Sequence, residues 1–418
     1  MDGEAVRSPR PEQGADRRPV SAPGNHAGVS GASRDADAAE VGGTPIDPAP
    51  TRLRLGAYLD SPAVGGSEIS LARTLGSLPE WVDVTVVGTS AEVVRWVSAG
   101  IDRGRSVLLS PVRSKWDVVE VARHISTIHD LRLDVLHANL WHPWAGHYGL
   151  LAARACRVPT VIAVHADLEA STARTRLISR WFYRRASAVV AVSNQLARIT
   201  ERQVGLPPGT IGTIYNAVES PPRYVPYSAS SHRPVRVGAV GRLSFEKGFD
   251  VLLTALGDLP DVRLSIVGDG PERGNLGALV SRYGMTERVT FEGWVENVWG
   301  AMAEMDIVVA PSRREGFGLA VAEAMMAGIP VVATRVGGLP EVVDEGTTAF
   351  LVDPGDAVGL ARAVGILAGD PELRQKMGRA GRRRAIQFFS PEGNAANFAD
   401  LYRRVAVQRS PVPEVSSG

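Results

Sequence analysis

Apolar residues in this chain fall into short runs, separated by stretches in which they recur every three or four positions. The runs cover residues 53–59, 82–87, 106–109, 135–137, 160–164 and 188–192, and, beyond a Pro- and Ser-rich passage, 235–240 and 306–311. A short apolar run bounded by turn signals predicts a buried strand, and a three-to-four period predicts a helix with one buried face. Strands alternating with helices predict an α/β chain with parallel sheets covered by helices. Pro159 stands just before the fifth run, where a proline removes no needed ladder bond. The series occurs twice. It predicts an N-terminal domain over 51–218, a linker over 219–234 and a C-terminal domain over 235–388. Ser390-Pro391 breaks the second series, and a last helical segment occupies 389–408. Residues 1–50 are rich in Pro, Gly, Ala and Asp and contain no aromatic residue. Such a segment buries too little apolar surface to offset its chain entropy, so it reads as a disordered tail, as does 409–418.

Composition narrows the class. The 418 residues suffice for two domains with full cores. A formal net charge of +1 argues against nucleic acid as a partner. The single cysteine, Cys156, excludes an intrachain disulfide and argues against a cysteine-based metal site. No apolar run reaches the roughly 18 residues of a membrane span, and the N-terminus has no secretory hydrophobic stretch. The expectation is a cytoplasmic protein. Arg174, Arg176, Arg180, Arg184 and Arg185 accompany Trp181 and Phe182 on one predicted helix. That pattern reads either as a solvated face or as a peripheral contact with the inner face of a membrane.

Candidate chemistry gathers where strands end. Glu315-Gly316-Phe317-Gly318-Leu319-Ala320-Val321-Ala322-Glu323 follows the run 306–311. Residues 320–327 are strong helix formers, ended by Gly328 and Pro330. Glu315 therefore falls at the carboxyl end of a strand, where open α/β sheets take ligands. Backbone N–H groups near Phe317, Gly318 and Leu319 open the helix and face an anion. Glu323, about two turns on, reaches a second part of the same ligand. Gly241-Arg242-Leu243-Ser244-Phe245-Glu246-Lys247-Gly248 follows the run 235–240 in the same manner. The chain holds three lysines, Lys115, Lys247 and Lys376, against 43 arginines. A lysine kept beside a loop glycine supplies a compact ammonium rather than a planar fork. Taken singly, Lys247 is a turn residue and the two glutamates are ordinary carboxylates. Together they suit a phosphorylated ligand with hydroxyl-rich groups at both ends.

Further motifs frame these two: Gly65-Gly66-Ser67-Glu68, Asp134-Val135-Leu136-His137-Ala138, Val164-His165-Ala166-Asp167, Val192-Ser193, Ile214-Tyr215-Asn216-Ala217-Val218, Val267-Gly268-Asp269-Gly270-Pro271 and Gly337-Gly338-Leu339-Pro340-Glu341. In this order, over roughly residues 52–405, the series resembles the retaining glycosyltransferases of family 4. The resemblance implies the GT-B fold: two Rossmann-like domains facing across a cleft, the first for the acceptor and the second for the donor, with the last helix crossing back to the first. One departure is Ser390-Pro391-Glu392, where many relatives carry an aromatic residue after the serine.

The resemblance implies transfer of a sugar from a nucleotide-diphosphate sugar to a hydroxyl acceptor, a glycan, a lipid-linked glycan or a small natural product. It implies no cofactor and no metal. Cleaving the C1–O bond leaves a negatively charged diphosphate, which fixed cations and N–H groups must stabilise. Arg242 and Lys247 supply the cations. The helix start at Phe317, Gly318 and Leu319, with Gly65 and Gly66, supplies the N–H groups. By resemblance Glu323 accepts from the donor ribose, Glu315 faces the donor sugar, and His165 contacts it from the opposite wall. A front-face mechanism needs no dedicated base, so Asp167 receives no such role. Trp141, His142 and Trp144 follow a strand end and form either an acceptor wall or ordinary packing, and His137 reads as a packed histidine. Two other readings share the architecture: a nucleotide-sugar epimerase or hydrolase, and a non-catalytic sugar-nucleotide-binding protein. A dinucleotide-dependent dehydrogenase is disfavoured, because Gly238-Ala239-Val240-Gly241 lacks the required glycine spacing. Donor base, sugar and linkage are not legible.

Overall fold

The computed structural model describes residues 52–112, 117–142, 145–166, 172–222 and 234–407. It contains two parallel sheets. The first comprises β1 (Leu53–Leu59), β2 (Val82–Gly88), β3 (Arg105–Leu108), β4 (Val135–Leu140), β5 (Thr160–Val164), β6 (Ala188–Ala191) and β7 (Gly212–Thr213). Its spatial order is β3-β2-β1-β4-β5-β6-β7. The second comprises β8 (Val235–Val240), β9 (Val262–Val267), β10 (Val289–Gly293), β11 (Ile307–Ala310), β12 (Val331–Thr334) and β13 (Ala349–Val352), ordered β10-β9-β8-β11-β12-β13. All five residues of β5 are buried, as expected of a parallel strand covered on both faces. β3 runs one residue earlier than the sequence predicts, and its exposed edge position explains the weaker pattern.

Both sheets reverse their strand order beside the first strand of the series, between β1 and β4 and between β8 and β11. The loops leaving those strands flank a crevice at the carboxyl edge of each sheet. Those loops carry Gly65, Gly66, Trp141, Arg242, Lys247 and Glu315, while His165 follows β5.

The last two helices join the halves. Helix Pro371–Phe389 begins with Asp370, which accepts from the Leu373 N–H, and with proline in its first turn, where no intrahelical donor is lost. It lies against the Leu319–Ala327 helix; a β-carbon on Gly378 would meet the Gly328 carbonyl at 2.0 Å. The chain breaks at Ser390, and helix Pro391–Val407 returns to the first sheet. Phe398, Tyr402 and Val405 enter the core that holds Leu53, Leu55 and Ala57. Tyr402 Oη and His137 Nδ1 share a buried hydrogen bond of 2.8 Å. The departure at Pro391 leaves this docking intact, because proline opens the helix and Ser390 Oγ accepts from the Gly393 N–H.

Candidate active site

In the second half, the loops after β8 and β11 touch through their backbones. Gly248 ends a 3-10 turn over Phe245–Lys247 with φ +67°, and a β-carbon there would lie 2.1 Å from the Pro311 carbonyl oxygen. Only glycine fits this approach. The contact sets Lys247 beside the strand-end carboxylate: Lys247 Nζ donates to Glu315 Oε2 at 2.7 Å. Ser312 Oγ donates to the same oxygen at 3.3 Å. Arg242 lies exposed at the head of the β8 loop. Arg313 braces the turn from outside: it donates two hydrogen bonds to the Asp250 carboxylate (2.7 and 2.6 Å), and its guanidinium lies over the Phe245 ring. The Arg313 hydrogen bonds hold the Asp250 carboxyl below the usual range.

Beyond Glu315 the chain turns into helix Leu319–Ala327, capped by Gly318 at φ +100°. The first-turn N–H groups of that helix have no intrahelical acceptor and point toward the crevice end. Gly337 and Gly338 pack beneath this turn. A β-carbon on Gly337 would fall 1.6 Å from the Glu315 carbonyl, and one on Gly338 2.7 Å from that of Gly316. Phe317 does not face the crevice with its side chain. It is 2% exposed, and its ring lies among Tyr215 and Phe389, because an apolar ring between two glycines is best covered by the core. A role in donor binding is left to its backbone.

The first half supplies the facing wall. Gly65 precedes helix Gly66–Gly76, and Glu68 closes a capping interaction by accepting from the Gly65 N–H (3.0 Å) and the Ser67 hydroxyl (2.9 Å). The Gly66 position lies across from Leu319, 3.8 Å from a β-carbon position to Leu319 Cδ2. His165 follows β5; its N–H donates to the Leu140 carbonyl, and its own carbonyl backs onto Gly316. Burial and the neighbouring His137 bring its pKa down to about 3, so the imidazole is neutral at pH 7. His137 is pulled down to about 4 by burial. It is a packed histidine, on the Tyr402 hydroxyl.

Glu323 departs most from the sequence reading. It is 5% exposed, and its carboxylate accepts from Arg73 Nη2 at 2.8 Å, across the two halves. Burial pushes its pKa up, while Arg73 pulls it down. Here its partner is a guanidinium, because helix Gly66–Gly76 presents Arg73 to the buried face of helix Leu319–Ala327. After β4, Trp141 Nε1 donates to Asp60 Oδ1 at 3.3 Å, and the Gly146 N–H donates to Asp60 Oδ2 at 2.8 Å. His142 is exposed beside the Trp141 ring, and Trp144 and Asp167 lie outside the described residues.

Four residues escaped the sequence reading as participants. Arg73 is one. Asp60, immediately after β1, carried a usable signal: an acid at the carboxyl end of the first strand. Ser193 Oγ donates to the Gly316 carbonyl at 2.8 Å while accepting from the Leu196 N–H. Glu341 accepts from Asn194 N (2.8 Å), Asn194 Nδ2 (2.9 Å), Gln195 N (2.7 Å) and Tyr215 Oη (3.3 Å). A second-half carboxylate thus caps first-half helix Asn194–Val204. Among the described residues, no cluster of three or more metal-ligating acids, histidines or cysteines occurs. No helix among them is long and apolar enough to cross a membrane.

Residues 64–220 match the model described as Glycosyltransferase Family 4, and residues 227–384 that of Glycosyl transferases group 1. The 2-deoxystreptamine glucosyltransferase of Streptomyces kanamyceticus is 29% identical over 345 residues, covering 75% of this chain and 89% of that one. The N-acetyl-alpha-D-glucosaminyl L-malate synthase of Bacillus anthracis is 37% identical over 142 residues, covering 34% of this chain and 37% of that protein. Anabaena HepE, crystallised in complex with UDP, aligns with a TM-score of 0.72 at 25% identity, over 84% of this chain and 99% of that one. Two Rossmann-like halves, a bridging C-terminal helix and matches along both halves lead to one conclusion: the chain is a glycosyltransferase of family 4 with the GT-B fold.

Proposed function

We propose that the chain moves a sugar, with retention of anomeric configuration and without a divalent cation, from a nucleotide-diphosphate sugar to a hydroxyl acceptor. One observation carries this reading: the 2.7 Å contact of Lys247 with Glu315 at the strand-order switch, beside the open start of helix Leu319–Ala327. As the C1–O bond breaks, negative charge grows on the leaving diphosphate. Lys247, Arg242 and the first-turn N–H groups of that helix, faced by Gly65 and Gly66, stabilise it. Glu315 is the group of that pair left to orient sugar hydroxyls and balance positive charge near C1. The acceptor oxygen bonds to C1 on the face the phosphate leaves, and its proton passes to the departing phosphate oxygen. His165, neutral, contacts the sugar from the opposite wall as a hydrogen-bonding group. Glu323 meets the ribose after exchanging Arg73 for its hydroxyls. Trp141, held by Asp60, and the neighbouring His142 line the acceptor side. The complex of the Anabaena neighbour makes uridine nucleotides the first donors to test, and the S. kanamyceticus relative makes small polyhydroxylated acceptors the first to screen.

The test is donor-dependent thermal shift followed by transfer assay. Lys247→Ala lowers kcat/KM by about 10²–10³-fold, the magnitude of losing one charge-stabilising donor. Addition of EDTA leaves the wild-type rate unchanged. A Lys247→Ala variant with wild-type turnover would refute the assignment, and loss of activity with chelator would refute metal independence.

A further inference from the structure

A second cavity lies at the amino end of the first sheet. Thr160 opens β5 and borders the cavity, whereas His165 follows the strand's other end. At about 3.3 Å per residue, the strand separates the two by roughly 16 Å. The cavity measures about 300 Å³, within the range of small-ligand pockets. Arg154, Arg157 and Arg185 line it, together with the rings of Trp181 and Phe182 and, from the returning helix, Val405. No carboxylate lines it, and among the described residues none of the three arginines has an ion-pair partner. Three exposed guanidinium groups gathered on one space with no carboxylate among them favour an anion there. Their planar forks match the oxygens of a phosphate.

Backbone and rings add to the argument. Arg157 adopts φ +57°, a left-handed position that glycine normally takes. That turn ends helix His147–Ala155, with the Arg157 N–H on the Arg154 carbonyl at 3.2 Å, and so sets the two arginines side by side in the chain. Arg185 stacks over the Trp181 ring at 4.5 Å, which holds its guanidinium in place at the rim. Trp181, Phe182 and Val405 offer an apolar wall to whatever the phosphate is attached to.

We propose that this cavity is a phosphate-binding site, separate from the donor crevice, for a ligand with an apolar or ring-bearing remainder. The phosphate comes either from a soluble metabolite or from a lipid headgroup. The experiment runs on the full chain carrying Lys247→Ala, so that the donor crevice lacks its ammonium, with and without Arg154→Gln and Arg157→Gln. Both arginines are exposed, so the added substitutions leave the melting temperature close to that of the parent. Inorganic phosphate is titrated calorimetrically. In parallel, co-sedimentation is measured with phosphatidylcholine vesicles that contain or lack phosphatidylglycerol. In either arm, the added substitutions weaken binding by about tenfold or more. Binding of free phosphate without vesicle capture identifies a soluble source. Capture by the anionic vesicles alone, lost with the two arginines, identifies a headgroup. Equal binding with and without the two substitutions overturns the site, as does absence of binding in both arms.

Discussion

Two histidines tie the stability of the first half to pH. His137 is 1% exposed, and the half-buried His165 lines the same small cavity. Burial sets their pKa values at about 4 and about 3. In the unfolded chain a histidine titrates near 6.5, so below that value the unfolded state holds more protons than the folded one. The stability is complete above about pH 6.5 and is lost as pH falls toward the folded values, with each histidine contributing a slope approaching ~1.4 kcal/mol per pH unit. From about pH 7 to about pH 5, His137 alone accounts for a loss of roughly 2 kcal/mol. Urea unfolding of His137→Gln, which retains a side-chain acceptor for Tyr402, should lack that share. Parallel pH curves for the two proteins would contradict the burial argument.

At the scale of elements, the site depends on glycines that let backbones meet. Gly337 combines φ +53° with a β-carbon position 1.6 Å from the Glu315 carbonyl. Gly346 has a similar φ of +77° but open space around it. Gly346→Ala should therefore cost about 1 kcal/mol and leave turnover intact. Gly337→Ala should cost about 3 kcal/mol or more and depress kcat, because the loop that carries Glu315 must itself shift. Equal effects from the two substitutions would show that backbone conformation, and not the approach to Glu315, is what matters. Much of this was legible in the sequence. Buried parallel strands read as apolar runs, and the loops after β8 and β11 announce themselves by glycines and an isolated lysine. The direction of Phe317 was not legible, since spacing does not say which side of a loop the core occupies. The contacts of Arg73, Ser193 and Glu341 were hidden for a related reason. Their partners lie 123 to 250 residues away in the chain, and only the packing of one half on the other selects them.

Over the whole molecule, the returning helix stitches the chain's end to its beginning. Tyr402 is fully buried, and its hydroxyl is the partner of His137 Nδ1. Tyr402→Phe removes the partner of that buried nitrogen and should cost about 1–3 kcal/mol. Thermal unfolding followed by circular dichroism tests it, and an unchanged midpoint would mean the bond contributes nothing net. The same connectivity bears on how the halves move during turnover. Segment 337–341 bears on Glu315 and Gly316 with its first two residues and grips the Asn194–Val204 helix with its last. Ser193, at the head of that helix, reaches back to Gly316. The segment is therefore a fulcrum: rotation of one half against the other pulls on the loop that carries Glu315.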